Sequence, residues 1–555
     1  MAFIQQPPTL APQYSDDRVL RRYLQRQLPP DTLREIEPSL IEMGELAAGR
    51  LWELALTHRN DEPQLTNWDP WGNRIDHVEV NPAWKEYAQV AAERGVVATA
   101  YERKHGAFSR VHQFALTYLF APSTQIYTCP LAMTDGAARS LETLASPALR
   151  DRVLPRLLSR DPAEVWISGQ WMTEQIGGSD VGLSETVARQ DAAGWRLYGT
   201  KWFTSAITNQ VALTLARPEG NPSGGKGLAL FFVQVRDQAG KLNGISVDRL
   251  KEKLGTRHLP TAELTLNGTL AEPVASLDNG VRNMANMLNL TRTWNAVVSV
   301  SSMRRGLALA RDYAGKRVAF GAPLSQKPLH LDTLADLTAE YEGAFQLVFE
   351  EVRLLGQAEL GELSEADQRT LLAIQPLAKL LTGKQAVAHA SEVLECFGGA
   401  GYIEDTGLPT LLRDAQVLSI WEGTTNVLSL EALRALSRGD VWGLLVKKIS
   451  GHATQAREPE LVALGKQAIQ AAEHALHWMA TNASNPQGIE AGARRGALTL
   501  GRALALALLV EHAQWELSNG GDRRSLSAAQ RFALHGVDLI RETSDLPAAQ
   551  ALAMG

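Results

Sequence analysis

Apolar positions recur at helical spacing in two long parts of the chain, and a different pattern separates them. From Glu42 to Asp161 the spacing predicts mostly helices, with Ala/Leu-rich stretches such as Leu141 to Leu158. Asn67, Asp69, Pro70, Gly72 and Asn73 interrupt this part, and such a cluster of turn formers predicts a loop. Residues 1–40, rich in Pro, Gln and Asp, read as an arm or a short helix pair. The texture changes at Val165. Trp195–Tyr198, Leu228–Val235 and Ala262–Leu266 are β-branched, aromatic or alternating, and Gly194, Gly224-Gly225, Gly244 and Gly268 mark turns between them. Short strands at this spacing predict a small antiparallel barrel or sandwich. From Val281 onward helical spacing returns. Val387, Ala390 and Leu394 recur along Lys379 to Cys396, and Gly398-Gly399 end the run. The expected organisation is therefore an N-terminal arm (1–40), a helical domain (41–164), a β-domain (165–277), a helical bundle (278–440) and an extra C-terminal helical domain (441–555).

Length and composition add limits. A chain of 555 residues is too long for one hydrophobic core, which agrees with several domains. Hydrophobic residues make up 45% and charged residues 21%, the balance of a soluble globular protein. The formal net charge of −6 supplies no overall basic field for nucleic acid. Cys129 and Cys396 cannot build a disulfide framework and fit a reducing, cytoplasmic setting. Residues 1–30 lack the charged start and apolar core of a signal peptide. Leu498 to Val510 is interrupted by Arg502 and is shorter than the ~20 residues of a membrane span, so a buried helix and no membrane contact are expected.

Four clusters carry candidate chemistry. In Met172–Asp180, glycines free the backbone and Thr173 and Ser179 add hydroxyls, which suits a polar ring or a phosphate. Lys201-Trp202-Phe203-Thr204-Ser205 ends a predicted strand with aromatic and hydroxyl side chains against which a flat cofactor could lie. Arg317–Gly321 places an arginine beside a glycine turn, which suits a phosphate because the planar fork matches two oxygens. Glu422 lies between Trp421 and Gly423, after Leu418 and Ile420, and apolar surroundings raise a carboxylate's pKa and make it a better carbon-acid base. Gly423-Thr424 then offers a helix start. Taken singly, each cluster has a plainer reading: a junction turn, an aromatic core strand, a surface arginine, a capping glutamate.

Order and spacing change that balance. Thr173–Asp180, Lys201–Ser205, Arg317–Gly321, Phe397–Gly399 and Trp421–Thr424 together resemble the acyl-CoA dehydrogenase family, over about residues 80 to 440. The resemblance implies an α+β multidomain fold with a helical N-domain, a central antiparallel β-barrel and a C-terminal four-helix bundle, here followed by added C-terminal helices. It implies FAD, with Met172, Thr173, Gly178 and Ser179 lining the flavin and Phe203, Thr204 and Ser205 at its ring system. Arg317 and Phe320, with Gly398 and Gly399, would reach the FAD of a neighbouring subunit, so a homotetramer is expected. Thr424 and Asn426 would touch the cofactor beyond the catalytic base. Glu422 would take the α-proton of an acyl-CoA or related acyl substrate while the β-hydride passes to flavin N5, with Arg292 supporting the base. The implied enzyme acts on a CH–CH group, needs no metal, and passes electrons to an electron-transfer flavoprotein, or to oxygen if it is an oxidase.

Further details resemble the AidB-like, alkylation-response branch: Asp69–Arg74 with Asn81–Trp84, the doubled Gly177-Gly178, Arg249–Gly255, Ser419–Gly423, and Pro328 where most of the family has Gln. That branch implies an alternative, a flavoprotein of the DNA alkylation response that binds duplex DNA and has weak dehydrogenase activity. The charges argue against strong DNA binding, because residues 441–555 carry 11 Lys/Arg against 10 Asp/Glu. Arg494-Arg495 and Arg523-Arg524 are the remaining candidates for a basic face.

Overall fold

Polar side chains mark where the helices begin. Asp17, Asn81, Ser146, Ser364, Thr424 and Asn485 each precede a helix and accept a main-chain N–H from its first turn, satisfying a donor that has no partner within the helix. Pro82, Pro147 and Pro486 follow three of these caps at the first helical position, where no N–H is needed. The computed structural model describes residues 5–237, 239–541 and 546–555. Its contacts divide the chain into two units. One contains Gly49–Lys104 and Phe120–Trp294; the other runs up to Ala48 and contains His105–Leu119 and the chain from Asn295 onward.

The first unit is built on a seven-stranded sheet. Its strands are Ser168–Trp171, Val187–Asp191, Gly194–Ser205, Val211–Pro218, Ala229–Gln234, Ile245–Leu250 and Thr261–Pro273. Val211–Pro218 pairs with both Val187–Asp191 and Ala229–Gln234, and the ladder through Gly194–Ser205 and Thr261–Pro273 closes into a ring. Closure leaves an interior filled by Trp171, Leu197, Phe231, Val233 and Leu264, all buried. The barrel departs from the expected antiparallel pattern in two pairings. Ser168–Trp171 and Val187–Asp191 both run parallel to Val211–Pro218. Parallel neighbours need a crossover between them, and the loop and hairpin of residues 172–210 provide it.

The loop expected around Asn67–Asn73 is instead a β-hairpin, Gln64–Trp68 against Arg74–Glu79. The turn itself is short. The Asp69 carboxylate accepts the N–H of Trp71 and of Asn73, each at 2.8 Å, and Gly72 takes a φ of +83°. An aspartate that satisfies its own turn makes a tight connection out of residues that look like a loop. Leu141 to Leu158 also divides, into Thr128–Leu144 and Pro147–Leu157, at the Ser146 cap.

In the second unit, residues 1–40 supply a helix pair, Arg18–Gln27 and Pro30–Ala48, the second of which crosses the expected boundary at 40. Leu20, Tyr23 and Leu24 are fully buried, and the Tyr23 hydroxyl donates to the Phe349 carbonyl at 2.8 Å. Four long helices follow, Ala285–Lys316 (from Asn295), Pro328–Glu359, Glu365–Cys396 and, past 440, Pro486–Ser518. A single apolar core links Leu347, Leu377, Leu381 and Leu428 to Leu445, Leu504, Leu508 and Phe532, so the helices after 440 share the bundle's interior. Pro486–Ser518 is 33 residues long, and its most apolar 18-residue window is 89% buried within the protein. The stretch judged too short to cross a bilayer therefore belongs to a helix of sufficient length, but protein surrounds it. Arg502 is tolerated there because it forms a two-pronged pair with Glu340 at 2.9 and 3.0 Å.

Candidate active site

In the barrel unit, the Met172–Asp180 loop is tied to the strand that carries the aromatic cluster. The Thr173 carbonyl accepts the Trp202 N–H at 2.9 Å. One residue on, Glu174 is 3% exposed and meets the fully buried ammonium of Lys201 at 2.7 Å. Glu174 also accepts the Thr186 hydroxyl at 2.6 Å and the Glu185 N–H at 2.6 Å, while Lys201 donates to the Leu215 carbonyl at 2.8 Å. Burial alone would raise the Glu174 pKa, but Lys201 and these hydrogen bonds outweigh it and hold the carboxylate below its usual range. Glu174 and Lys201 thus form a buried pair that fastens loop to strand, which sequence reasoning missed. The available signal was one acidic and one basic residue in two segments that each carry candidate chemistry.

The loop turns back at once: Glu174 and Gly177 exchange main-chain hydrogen bonds at 3.3 and 3.0 Å. A side chain at Gly178 would come within 2.8 Å of the Thr173 hydroxyl oxygen. Ser179 is exposed, Thr173 is half-buried, and Met172 is buried with its sulfur accepting from Gln170 at 3.4 Å.

Strand alternation sorts the next cluster. Phe203 is 54% exposed, and Ser205, two residues on, shares its strand face, with its hydroxyl 3.1 Å from that of Thr261. Thr204 points the other way. It is 1% exposed and spends its hydroxyl on the Ala262 carbonyl at 2.7 Å. Thr204 thus keeps its hydroxyl inside the sheet, unlike the exposed Phe203, just past a bulge between Lys201 and Thr204. Lys251 adds a cation on this side, 3.3 Å from the Trp202 ring centre and 4.8 Å from that of Phe203.

In the helical unit, Glu422 occupies the junction between Pro409–Leu418 and Thr425–Leu436. Its φ of +54° puts a non-glycine residue in the left-handed region, a conformation that costs of order 1–3 kcal/mol and persists only where neighbours enforce it. The neighbours are identifiable. Asn295 donates to the Leu418 carbonyl at 3.0 Å, which satisfies an end of the first helix. Lys379, 1% exposed in Glu365–Cys396, donates to the Gly423 carbonyl at 2.7 Å. Gly383 on the same helix lies so close that a Cβ would be 2.7 Å from the Leu418 carbonyl oxygen. Thr424 caps the second helix, its hydroxyl accepting the Val427 N–H at 3.4 Å, and Thr424 and Asn426 are exposed. Lys379 and Asn295 were missed in the sequence; a lysine set among Leu377, Ala378, Leu380 and Leu381 was the available sign.

Arg317 follows the Ala285–Lys316 helix and donates to the Gln5 side chain at 3.3 Å. A two-residue hairpin, Val318–Ala319 with Ala322–Pro323, then lifts Phe320 to 99% exposure. Gly398 and Gly399 are exposed, Gly398 with φ of +58°. Tyr313 and Phe397 pack ring to ring at 4.8 Å, so the hairpin and the glycine turn lie at one end of this unit. Arg292 is buried, at 6% exposure, in the barrel unit.

Four family profiles cover the chain in order. They describe the adaptive response protein AidB N-terminal domain (residues 5–162), the acyl-CoA dehydrogenase middle domain (169–269), the acyl-CoA dehydrogenase C-terminal domain (278–436) and an acyl-CoA dehydrogenase 11 C-terminal domain-like region (440–551). Acyl-CoA dehydrogenase family member 11 of Caenorhabditis elegans is 45% identical over 92% of this chain and 86% of its own length. The putative acyl-CoA dehydrogenase AidB of Escherichia coli is 32% identical over 71% of this chain and 73% of its own. The crystal structure of C. elegans ACDH-11 in complex with C11-CoA superposes with a TM-score of 0.96 at 40% identity, covering 100% of this chain and 96% of that one.

Proposed function

Because this chain belongs to the acyl-CoA dehydrogenase family of FAD-dependent oxidoreductases, we propose that it oxidises an acyl-CoA at its α and β carbons, with Glu422 as the base. The observation that carries the reading is the left-handed Glu422, enforced by Lys379, Asn295 and the Thr424 cap. Strain held in place at one carboxylate is expected where side-chain direction matters for chemistry.

The barrel residues fit a flat, polar-edged cofactor. Phe203 offers an exposed ring, Ser205 a hydroxyl on the same face, and the Gly177–Ser179 turn an exposed hydroxyl beside bare backbone. Phe203, Ser205, Thr173, Gly178 and Ser179 would hold FAD, which when bound supplies the acceptor for the β-hydride. Glu422 takes the α-proton onto a carboxylate oxygen, and its main-chain restraints keep that oxygen in place as charge moves. The Lys201–Glu174 pair acts as a positioning device, fixing the loop against its strand. The relative crystallised with C11-CoA supports an acyl-CoA as the substrate class.

A homotetramer suits the near-complete exposure of Phe320, together with Tyr402 at 88% and Leu329 at 81%. Electron-transfer flavoprotein is the proposed acceptor and the cytoplasm the proposed location. The DNA-binding alternative finds less support. Arg523 pairs with Glu458 and Glu460, Arg524 with Glu342, and Arg531 with Asp332 and Asp336, so these charges are compensated within the chain. The test is an anaerobic titration of the yellow protein with acyl-CoAs of graded length. Bleaching by at least one is expected; a flavin that stays oxidised with every acyl-CoA sinks the reading.

A further inference from the structure

The helix Arg18–Gln27 has two faces of opposite chemistry. Val19, Leu20, Tyr23 and Leu24 are buried in the protein. Arg18, Arg21, Arg22 and Gln25 recur at the three- and four-residue spacing that aligns side chains in one stripe. This stripe forms one wall of a cavity of about 420 Å³, and the turn Gly520-Gly521-Asp522 forms the other. The turn presents bare main chain. Gly520 has a φ of +73° with open space where a side chain would project, and a Cβ on Gly521 would lie 2.7 Å from the Glu516 carbonyl oxygen.

The hydrogen bonds of the three guanidinium groups do not balance. Arg18 is paired with Asp522 through both terminal nitrogens, at 2.8 and 2.9 Å, and lies 3.5 Å from Glu516. Arg22 shares that same Glu516 at 2.9 Å, donates to Gln25 at 3.0 Å and lies 4.7 Å over the Trp515 ring. Two carboxylates thus serve three cations, and no ion pair reaches Arg21 among the described residues. Arg21 Nε and Arg22 Nη2 are both buried and meet no acceptor. The cavity wall thus carries more positive than negative charge, which favours an anion in the cavity. His512, buried beside Trp515, reports the same field: burial, and then Arg26, Arg22, Arg524 and Arg18, push its pKa well below the usual value.

We propose that this cavity binds a soluble phosphate monoester of nucleotide size, gripped by Arg21 and Arg22 against the glycine turn. Planar guanidinium groups match phosphate oxygens in pairs, and the glycine turn leaves room for the anion beside main chain. The volume exceeds what a lone halide needs and lies within the ~300–1,000 Å³ of small-molecule sites.

The experiment uses the full-length, flavin-loaded protein and follows the phosphorus resonance of adenosine monophosphate at fixed ionic strength. Saturable broadening is expected with the wild type, and Arg21→Gln should weaken binding about ten-fold or more with flavin absorbance unchanged. Arg21→Lys, which keeps the charge but loses the fork, should fall between them and serves if Arg21→Gln is insoluble. Competition by inorganic phosphate shows that the phosphate group is what the site recognises. The proposal is overturned if the wild type shows no saturable binding, if Arg21→Gln and Arg21→Lys bind as the wild type does, or if inorganic phosphate fails to compete.

Discussion

Glu174 and Glu422 both stand in the segments expected to carry chemistry, and their surroundings make them opposite tools. Glu174 in the barrel unit is saturated: an ammonium, a hydroxyl and a main-chain N–H all address its carboxylate, which is held below its usual pKa range. A carboxylate so fully compensated cannot exchange protons near neutral pH. Glu422 in the helical unit is restrained through its backbone, by donors placed on the carbonyls of Gly423 and Leu418. The contrast teaches that one carboxylate can be fixed by what it accepts, while the proposed base is also held by what its main-chain neighbours accept.

Exchanging the polar function at each site sharpens the comparison. The largest effect is expected for Glu422→Gln. Flavin reduction by a bleaching acyl-CoA should slow by about 10²–10⁴-fold in stopped-flow measurements, with unfolding unchanged; reduction within a few-fold of wild type would break the contrast. Glu174→Gln should act on stability instead, costing about 3–5 kcal/mol in denaturant titrations because Lys201 is left as a buried charge without its counter-ion. The pH dependence follows from the lowered pKa of Glu174. Its stabilisation is complete above the ordinary carboxylate value of about 4.3 and disappears as pH falls through the lower folded value, so the gap between wild type and variant should close in acid. The smallest effect separates two adjacent hydroxyls. Thr204→Val should cost about 1 kcal/mol of stability and leave the flavin spectrum alone, while Ser205→Ala should shift that spectrum and leave stability alone. The reverse pattern would undo the assignment of faces.

Much of this was readable in the chain. The switch from helical to alternating spacing at Val165 and back near Val281 located the barrel, and Gly423-Thr424 marked a real helix start. Other features depend on partners far apart in sequence. The parallel pairing of Ser168–Trp171 with Val211–Pro218 is set by closure of the whole sheet, which no local window contains. The hairpin at residues 64–79 was hidden because its turn formers look the same in a tight turn and in a loop, and only the Asp69 hydrogen bonds distinguish them. Thr204 could not be set apart by alternation alone, because a bulge between Lys201 and Thr204 shifts the period and leaves both of them buried. Lys379 could not be assigned, because its acceptor is a main-chain carbonyl 44 positions away.

The interior that runs without a break from Leu347 to Phe532 also governs what can be removed from this protein. One profile ends at residue 436 and the next begins at 440, yet a chain cut there would turn Leu377, Leu381 and Leu428 outward and invite aggregation. Mutational drift in the tail must accordingly be matched by compensating change in the bundle, and the two would be inherited as one piece.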